Sequence, residues 1–439
     1  MNIVQITPGA GGMYCGNCFR DNMLVAALRR SGHSTLMVPL YLPLTLEDED
    51  RSAGTPVFFG GLSVYLEQKF ALFRSAPKWL HNLLASDRVL RWTARFASKT
   101  RPQDLGELTV SMLRGEEGNQ ARELDELIAW LRTQPKPDVI CLSNCLLIGL
   151  VRRLKADLGA AVVCMLQGED SFLDALPARE RDTAWETVGE RAREADLLVA
   201  PTHYFAERMR QRLSLSAERL RVVNNGISLA GYEGTIPRPR AEASPTGPVL
   251  GYFARMCPEK GLATLVDAFL LLKKRDSAKN LRLRVGGGCG PGDEAFVGTL
   301  RTKLRANGVE GDSEFHPNLD RAAKIEFLRS LSVFSVPALY GEAFGLYLLE
   351  AWAAGVPVVQ PRHAAFPELI DATGGGLLCE PGSPESLADA VEILLLDPAM
   401  RASLAAAGRA AVERRFTDTR MAEQMAEAFE QALRFPNRG

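Results

Sequence analysis

Two carboxylates stand eight positions apart, Glu342 and Glu350, in the run VPALYGEAFGLYLLE from Val336 to Glu350. The pattern predicts a strand ending near Pro337, a glycine-flanked turn carrying Glu342, and a helix from about Gly345. A helix start presents unpaired N–H groups and the positive end of the macrodipole, so an anionic phosphate is favoured there. Glu342 at the mouth of the turn and Glu350 over a turn further down the helix would grip hydroxyl pairs at different depths of one cleft. A plainer reading exists for each: Glu342 complements the helix dipole, and Glu350 is a solvated helix residue.

A second run, GYFARMCPEKG from Gly251 to Gly261, follows the first expected strand of the C-terminal half. Arg255 and Lys260 fall in its strand-to-helix loop. Doubly wound sheets bind their ligands at that carboxyl end of the strands. Two cations there can neutralise a diphosphate leaving group. Taken singly, each would be an ordinary solvent-facing cation.

The Arg-x4-Lys loop, the Glu-x7-Glu run in the form GEAFG, and the trailing EAWAAGVPVV from Glu350 together resemble the donor-binding half of GT-B family 4 glycosyltransferases. The resemblance runs from about Val249 to Arg415 and extends more loosely over the first domain. It implies a retaining sugar transfer from a nucleotide-diphosphate sugar, without a metal ion, other cofactor or dedicated protein nucleophile. By position it assigns the donor pyrophosphate to Arg255 and Lys260, the donor sugar to Glu342, and the ribose to Glu350. The backbone of Phe344, Gly345 and Leu346 would line the sugar–phosphate pocket. The run Asn225-Gly226-Ile227 also resembles the family's Asn-Gly-Ile before its linker.

The N-terminal turn PGAGGM, Pro8 to Met13, matches the family's glycine loop. Glycines let backbone N–H groups approach an oxyanion closely, which makes Gly11 and Gly12 donor-binding candidates. Any first strand-to-helix turn can hold such glycines. The GGGCG run from Gly286 to Gly290 would shape the nucleotide pocket or form a plain turn. One departure from the family concerns the His it often carries at the end of a central N-domain strand. Here the strand Ala161–Leu166 leads into Gln167-Gly168-Glu169-Asp170. Gln167 takes the matching catalytic position; it cannot act as a general base, but it can hydrogen-bond a sugar hydroxyl or the acceptor. Glu169 and Asp170 are alternative carboxylates, and Asp170 equally suits a helix cap.

Cys15 and Cys18 form a Cys-x-x-Cys at a helix start, which suits a reactive thiolate, half a zinc site, or simple packing. No second Cys-x-x-Cys exists, and Cys141 and Cys145 are spaced more loosely, so no four-ligand zinc site is expected. The five histidines do not cluster. His203 is the one placed near the cleft, and a satisfied loop histidine is its ordinary reading.

A segment at about Thr45–Gly118 interleaves Phe58, Phe59, Leu66, Phe70, Phe73, Trp79, Leu83, Trp92 and Phe96 with Lys69, Arg74, Lys78, Arg88, Arg91 and Arg95. Aromatic faces suit sugar rings and arginines suit anionic groups, so the insert would recognise the acceptor or touch lipid headgroups. A small helical subdomain packed on the sheet edge is the plainer alternative.

The elements that must position these residues alternate as strand and helix. Expected strands are Asn2–Ile6, Ser34–Leu40, Asp138–Leu142, Ala160–Leu166, Asp196–Ala200 and Arg221–Val223. After a Pro- and Gly-rich stretch they resume at Val249–Phe253, Leu281–Val285, Ser313–Phe315, Val333–Val336 and Val356–Val359. Helical spacing fills the gaps, as in Cys18–Arg30, Arg179–Ala195, Leu262–Lys274 and Met421–Leu433. The α/β pattern gives two Rossmann-like doubly wound domains, and the family resemblance implies that they face across a cleft in the GT-B arrangement. Residues 1–228 form the acceptor domain with its insert at about 45–118, 229–247 the linker, and 248–416 the donor domain. The family resemblance implies that a last helix, 417–439, returns to the first domain.

The chain has 439 residues, 46% hydrophobic and 24% charged, with a net charge of −1. That balance suits a chain with sizeable cores and gives no global field for nucleic acid. The start carries no secretory pattern, no apolar run spans a bilayer, and eight scattered cysteines read as reduced thiols of a cytoplasmic protein. The expected partners are a nucleotide-diphosphate sugar and a glycan, lipid or small-molecule acceptor, with peripheral membrane contact if the acceptor is lipid. Two rivals stand against transfer. A sugar-nucleotide-binding protein without turnover would keep the donor site. A dinucleotide oxidoreductase would need a third glycine in the first turn and an acidic residue after the second strand, and VPLY stands there instead.

Overall fold

The computed structural model describes residues 1–9, 16–44, 46, 49–60, 68, 105–234 and 247–434. They form two compact units, Met1–Asn224 together with the segment from Asp418, and Asn225–Thr417. Each unit is built on a six-stranded parallel sheet.

Unit 1 contains β1 (Asn2–Pro8), α1 (Gly16–Arg30), β2 (Ser34–Leu40), β3 (Val139–Leu142), β4 (Ala161–Met165), α2 (Asp170–Asp174), β5 (Leu197–Ala200), α3 (His203–Arg212) and β6 (Leu220–Val222). The sheet order is β2-β1-β3-β4-β5-β6. Its central strands are buried along nearly their whole length, as expected when helices cover both faces of a parallel sheet. The C-terminal helix Asp418–Arg434 belongs to this unit. Met421, Met425, Ala428, Phe429 and Ala432 recur at helical spacing and make one apolar stripe. That stripe shares a core with Ile3, Leu24, Leu28, Val139, Val163 and Leu197. Burying a side chain such as Phe429 contributes about 1.5–3 kcal/mol, enough to hold the chain end on the sheet.

Unit 2 contains β7 (Val249–Phe253), α4 (Leu262–Lys273), β8 (Arg282–Gly287), α5 (Glu294–Ala306), β9 (Ser313–Pro317), α6 (Arg321–Arg329), β10 (Val333–Phe334), α7 (Leu346–Ala353), β11 (Val358–Pro361) and β12 (Gly376–Cys379). Read from one edge the order is β9-β8-β7-β10-β11-β12. The chain leaves β7 towards β8 and β9, then crosses back to β10 on the other side. The switch point therefore lies between β7 and β10, and the loops leaving those two strands open side by side. The last strand, β12, has no counterpart among the expected strands. It is four residues long, only partly buried, and preceded by Gly374 and Gly375, so periodicity has too little to act on.

Candidate functional site

The switch point of unit 2 collects the charged residues singled out above. Lys260 ends a one-turn helix, Pro258–Lys260, in the loop after β7. Gly261 follows with φ of 73°, and a Cβ there would lie 1.8 Å from the Pro337 carbonyl oxygen. Only glycine allows that approach, which brings Lys260 against the segment leaving β10. The Leu339 N–H donates to the Glu259 carbonyl at 2.9 Å and ties the two loops together.

Glu342 sits at the centre of the resulting cluster. Its Oε2 accepts from Lys260 Nζ at 2.6 Å, from the Tyr347 hydroxyl at 3.0 Å and from the Tyr340 hydroxyl at 3.1 Å. Lys260 Nζ also donates to the Tyr340 hydroxyl and lies 4.9 Å and 5.3 Å from the Tyr340 and Tyr347 ring centres. Burial alone pushes the Glu342 carboxyl up. The Lys260 charge and the bonds from Lys260, Tyr347 and Tyr340 outweigh it, and the net shift is downward. The site thus holds a carboxylate that stays ionised although most of its surface is out of water.

Three residues further on, Gly345 takes φ of 90° and opens α7 without a capping side chain. Phe344 is buried beside it and Leu346 is half-buried. The first N–H groups of a helix have no partner inside it, so the Phe344–Leu346 backbone offers donors next to the Lys260–Glu342 pair. The loop after β11 closes the other side. The Ala365 N–H donates to the Glu342 carbonyl at 3.2 Å, and His363 bonds the Tyr340 carbonyl at 3.2 Å.

Arg255 lies in the same β7 loop. Its Nε and Nη2 donate to Asp293 at 3.1–3.3 Å. Glu350, on α7, accepts from Lys324 Nζ at 2.6 Å, and Lys324 is 1% exposed. Arg255, Lys260, Glu342, Phe344, Gly345, Leu346 and Glu350 are therefore all carried by unit 2, most of them on the loops of one switch point. Sequence reasoning missed four residues that hold them: Asp293, Lys324, Tyr340 and Tyr347. Lys324 did leave a signal. It shares the buried face of α6 with Ile325 and Leu328, and a lysine there needs a partner.

Unit 1 carries the remaining candidates. Gln167 is half-buried at the end of β4. Glu169 is buried, and its two oxygens accept the N–H groups of Cys145 at 2.9 Å and Gln167 at 2.7 Å. Burial raises its pKa, with the neighbouring Asp170 adding to the effect. Asp170 accepts from Arg208 at 2.6 Å. Both carboxylates thus hold local structure: Glu169 clamps the loop that presents Gln167, and Asp170 joins α2 to α3. His203 is exposed on the first turn of α3, which Thr202 caps.

Gly11, Gly12 and Cys15 lie outside the described residues, as do Trp79, Arg91 and most of the insert. Cys18 is buried, its thiol donating to the Pro8 carbonyl at 2.9 Å. Of the insert's aromatics, Phe59 is buried and Phe58 packs on Trp130 with ring centres 5.2 Å apart. Among the described residues no three His, Cys, Asp or Glu gather as a metal site, and no helix is long and apolar enough to cross a membrane.

Comparison with known proteins agrees with this division. A model described as Glycosyl transferases group 1 matches residues 237–411, and one described as Glycosyltransferase Family 4 matches residues 107–230. Sucrose-phosphate synthase from Thermosynechococcus elongatus superposes with a TM-score of 0.72 at 18% identity, covering 98% of each chain. HepE of Anabaena, solved with UDP and glucose, superposes at 0.69 and 18% identity, covering 98% of this chain and 99% of its own. Those two likenesses show the fold, a GT-B pair of parallel α/β units. The D-inositol 3-phosphate glycosyltransferase of Jonesia denitrificans is 29% identical over 243 residues, 54% of this chain and 56% of that protein. The phosphatidyl-myo-inositol mannosyltransferase of Mycobacterium leprae is 33% identical over 173 residues, 39% and 43% of the two chains. The chain thus matches about half the length of these curated relatives. It belongs to the GT-B glycosyltransferases of family 4 type.

Proposed function

We propose that this chain transfers a sugar, with retained configuration, from a nucleoside diphosphate sugar to a hydroxyl-bearing acceptor. The observation that carries the reading is the unit 2 switch point, where Arg255, Lys260, Glu342 and the uncapped start of α7 share one sheet edge. Arg255, Lys260 and the helix start bind the diphosphate, Glu342 the sugar, and Glu350 the ribose. The HepE complex with UDP and glucose, on the same fold, supports a nucleotide donor. Because protein cations offset the leaving group's charge, turnover does not depend on a divalent metal.

Unit 1 takes the acceptor, with Gln167 bonding the reacting partner and Gly11 and Gly12 approaching the phosphate. Glu169 and Asp170 are already engaged, so neither serves as a base. The acceptor oxygen bonds the anomeric carbon as the bond to the phosphate oxygen breaks, and the departing phosphate takes the hydroxyl proton. Lys260 moves to the diphosphate and leaves Glu342 to the sugar. Contacts of Glu342 that strengthen as positive charge builds on the ring act on the transition state.

A thermal-shift panel of UDP, GDP and ADP with their sugars identifies the donor, since a ligand of the native state raises Tm with its affinity. Mass spectrometry of the product with candidate acceptors then tests transfer. Binding without transfer or donor hydrolysis across the panel would favour a nucleotide-sugar-binding protein. An absence of nucleotide binding would overturn the reading.

A further inference from the structure

We propose that Asp293 is the positioning residue for the donor diphosphate, acting through Arg255. The proposal rests on the reading of Arg255 given above. A guanidinium has two edges that can pair with oxyanions, and an arginine on a mobile loop presents neither in a fixed direction. Asp293 takes one of them. Its two oxygens accept Nε and Nη2 at 3.1–3.3 Å, while among the described residues Nη1 has no partner. Arg255 is 52% exposed and Asp293 8%. The anchor is thus buried, while the cation it holds stays half-exposed.

The anchor is itself fixed. Asp293 precedes α5, its N–H donates to the Gly290 carbonyl at 2.9 Å, and its Oδ2 accepts the Gly290 N–H at 3.1 Å. These bonds close the loop after β8 upon itself. A second clamp holds that loop from the other side, where the Asn318 amide bonds the backbone N–H and carbonyl of Cys289, each at 3.0 Å. The carboxylate therefore stands on a doubly tethered loop of the neighbouring strand, and Arg255 is aimed before any ligand arrives. Ordering a long side chain in advance removes an entropic cost from binding. Asp293 touches neither the sugar nor the diphosphate in this scheme, so its loss acts only through the placement of Arg255.

The experiment is a double-mutant cycle. The probe is whichever of UDP, GDP and ADP gives the largest thermal shift, with its Kd measured by calorimetry in Asp293→Ala, Arg255→Ala and the double variant. Asp293→Ala is expected to raise Kd about tenfold, and much less, under about twofold, where Arg255 is already Ala. Asp293→Asn keeps an acceptor for one bond and should fall between. It also serves if the alanine variant folds poorly. With the sugar donor, KM should rise and kcat fall in Asp293→Asn, and neither should change much further where Arg255 is already Ala.

An equal loss with and without Arg255 would mean that Asp293 only supports the loop, and would overturn the proposal. So would an unchanged or tighter Kd in Asp293→Ala alongside a weakened Arg255→Ala; the reading of Arg255 would then stand. An unchanged Kd in Arg255→Ala would overturn the reading of Arg255, and the proposal with it.

Discussion

The carboxyl edges of the two sheets carry similar charges put to opposite uses. In unit 2 each pair keeps at least one partner partly exposed. Arg255 leans on Asp293, Lys260 on Glu342, and Glu350 on Lys324. In unit 1 the same edge holds a closed knot. Arg20 and Asp21 are fully buried, Arg20 reaches the Ser143 carbonyl at 2.9 Å, and Thr7 donates to Asp21. That network joins the ends of β1 and β3 to α1 and presents nothing outward. Glu169 is spent likewise on backbone N–H groups. An ion pair with an open side prepares a surface for a ligand, whereas one closed on all sides sets the geometry of the loops around it.

The difference is sharpest in stability. Arg20→Met strands Asp21 in the interior without its counter-ion and should cost about 3–5 kcal/mol. Arg255→Met removes a guanidinium that is half-exposed, and the buried Asp293 keeps the Gly290 N–H, so the cost should be smaller, about 1 kcal/mol. Urea unfolding of both variants measures this, and similar losses would erase the distinction. Turnover should invert the ranking within unit 2. Lys260→Ala is expected to lower sugar transfer by about 10²-fold, because its contribution appears when leaving-group charge develops, and also to lower the unfolding midpoint, because the largely buried Glu342 loses its counter-ion.

The two units should also respond to pH with opposite signs. In unit 1, burial and the nearby Glu126 raise the Glu123 carboxyl to about 7, despite the bond from the Phe59 N–H at 3.2 Å. A folded-state pKa above the unfolded value of about 4.5 costs nothing in acid and destabilises progressively as pH rises towards 7. Glu123→Gln should therefore gain about 1–3 kcal/mol relative to the native chain between pH 4 and pH 8. In unit 2, Glu342 is depressed, so its contribution is present above the ordinary carboxylate range and is lost as pH falls through the folded value. Glu342→Gln should flatten the acid limb of the stability profile and leave the alkaline limb alone. Parallel profiles for the two variants would break the contrast.

The smallest effect concerns backbone alone. Gly345→Ala places a Cβ 3.3 Å from the Tyr347 ring at φ of 90°. About 1–2 kcal/mol of strain is expected. If Tyr347 shifts to relieve it, Glu342 loses a donor, and donor KM should rise with the loss of stability. A stability loss with unchanged KM would separate Gly345 from the Glu342 cluster.

Much of this was legible in one dimension. The strand-and-helix alternation identifies two doubly wound units because burial on both faces of a parallel strand leaves an apolar run that periodicity detects. Ser34–Leu40 and Val249–Phe253 coincide with their expected strands. Arg255, Lys260, Glu342 and Glu350 were visible because loops and helix starts are short, local and rich in glycine. The partners were not. Asp293 is 38 residues from Arg255, and Lys324 is 26 residues from Glu350. Nothing local in the sequence distinguishes Asp293 from a surface charge, and the apolar face that carries Lys324 shows that it needs a partner but not which one. Glu169 and Asp170 read as spare carboxylates until burial and hydrogen bonding showed them engaged. Local spacing determines which residues reach the ends of strands. Only the order of parallel strands, which sets the loops after β7, β8 and β10 side by side, decides which charges meet and which side of each stays open.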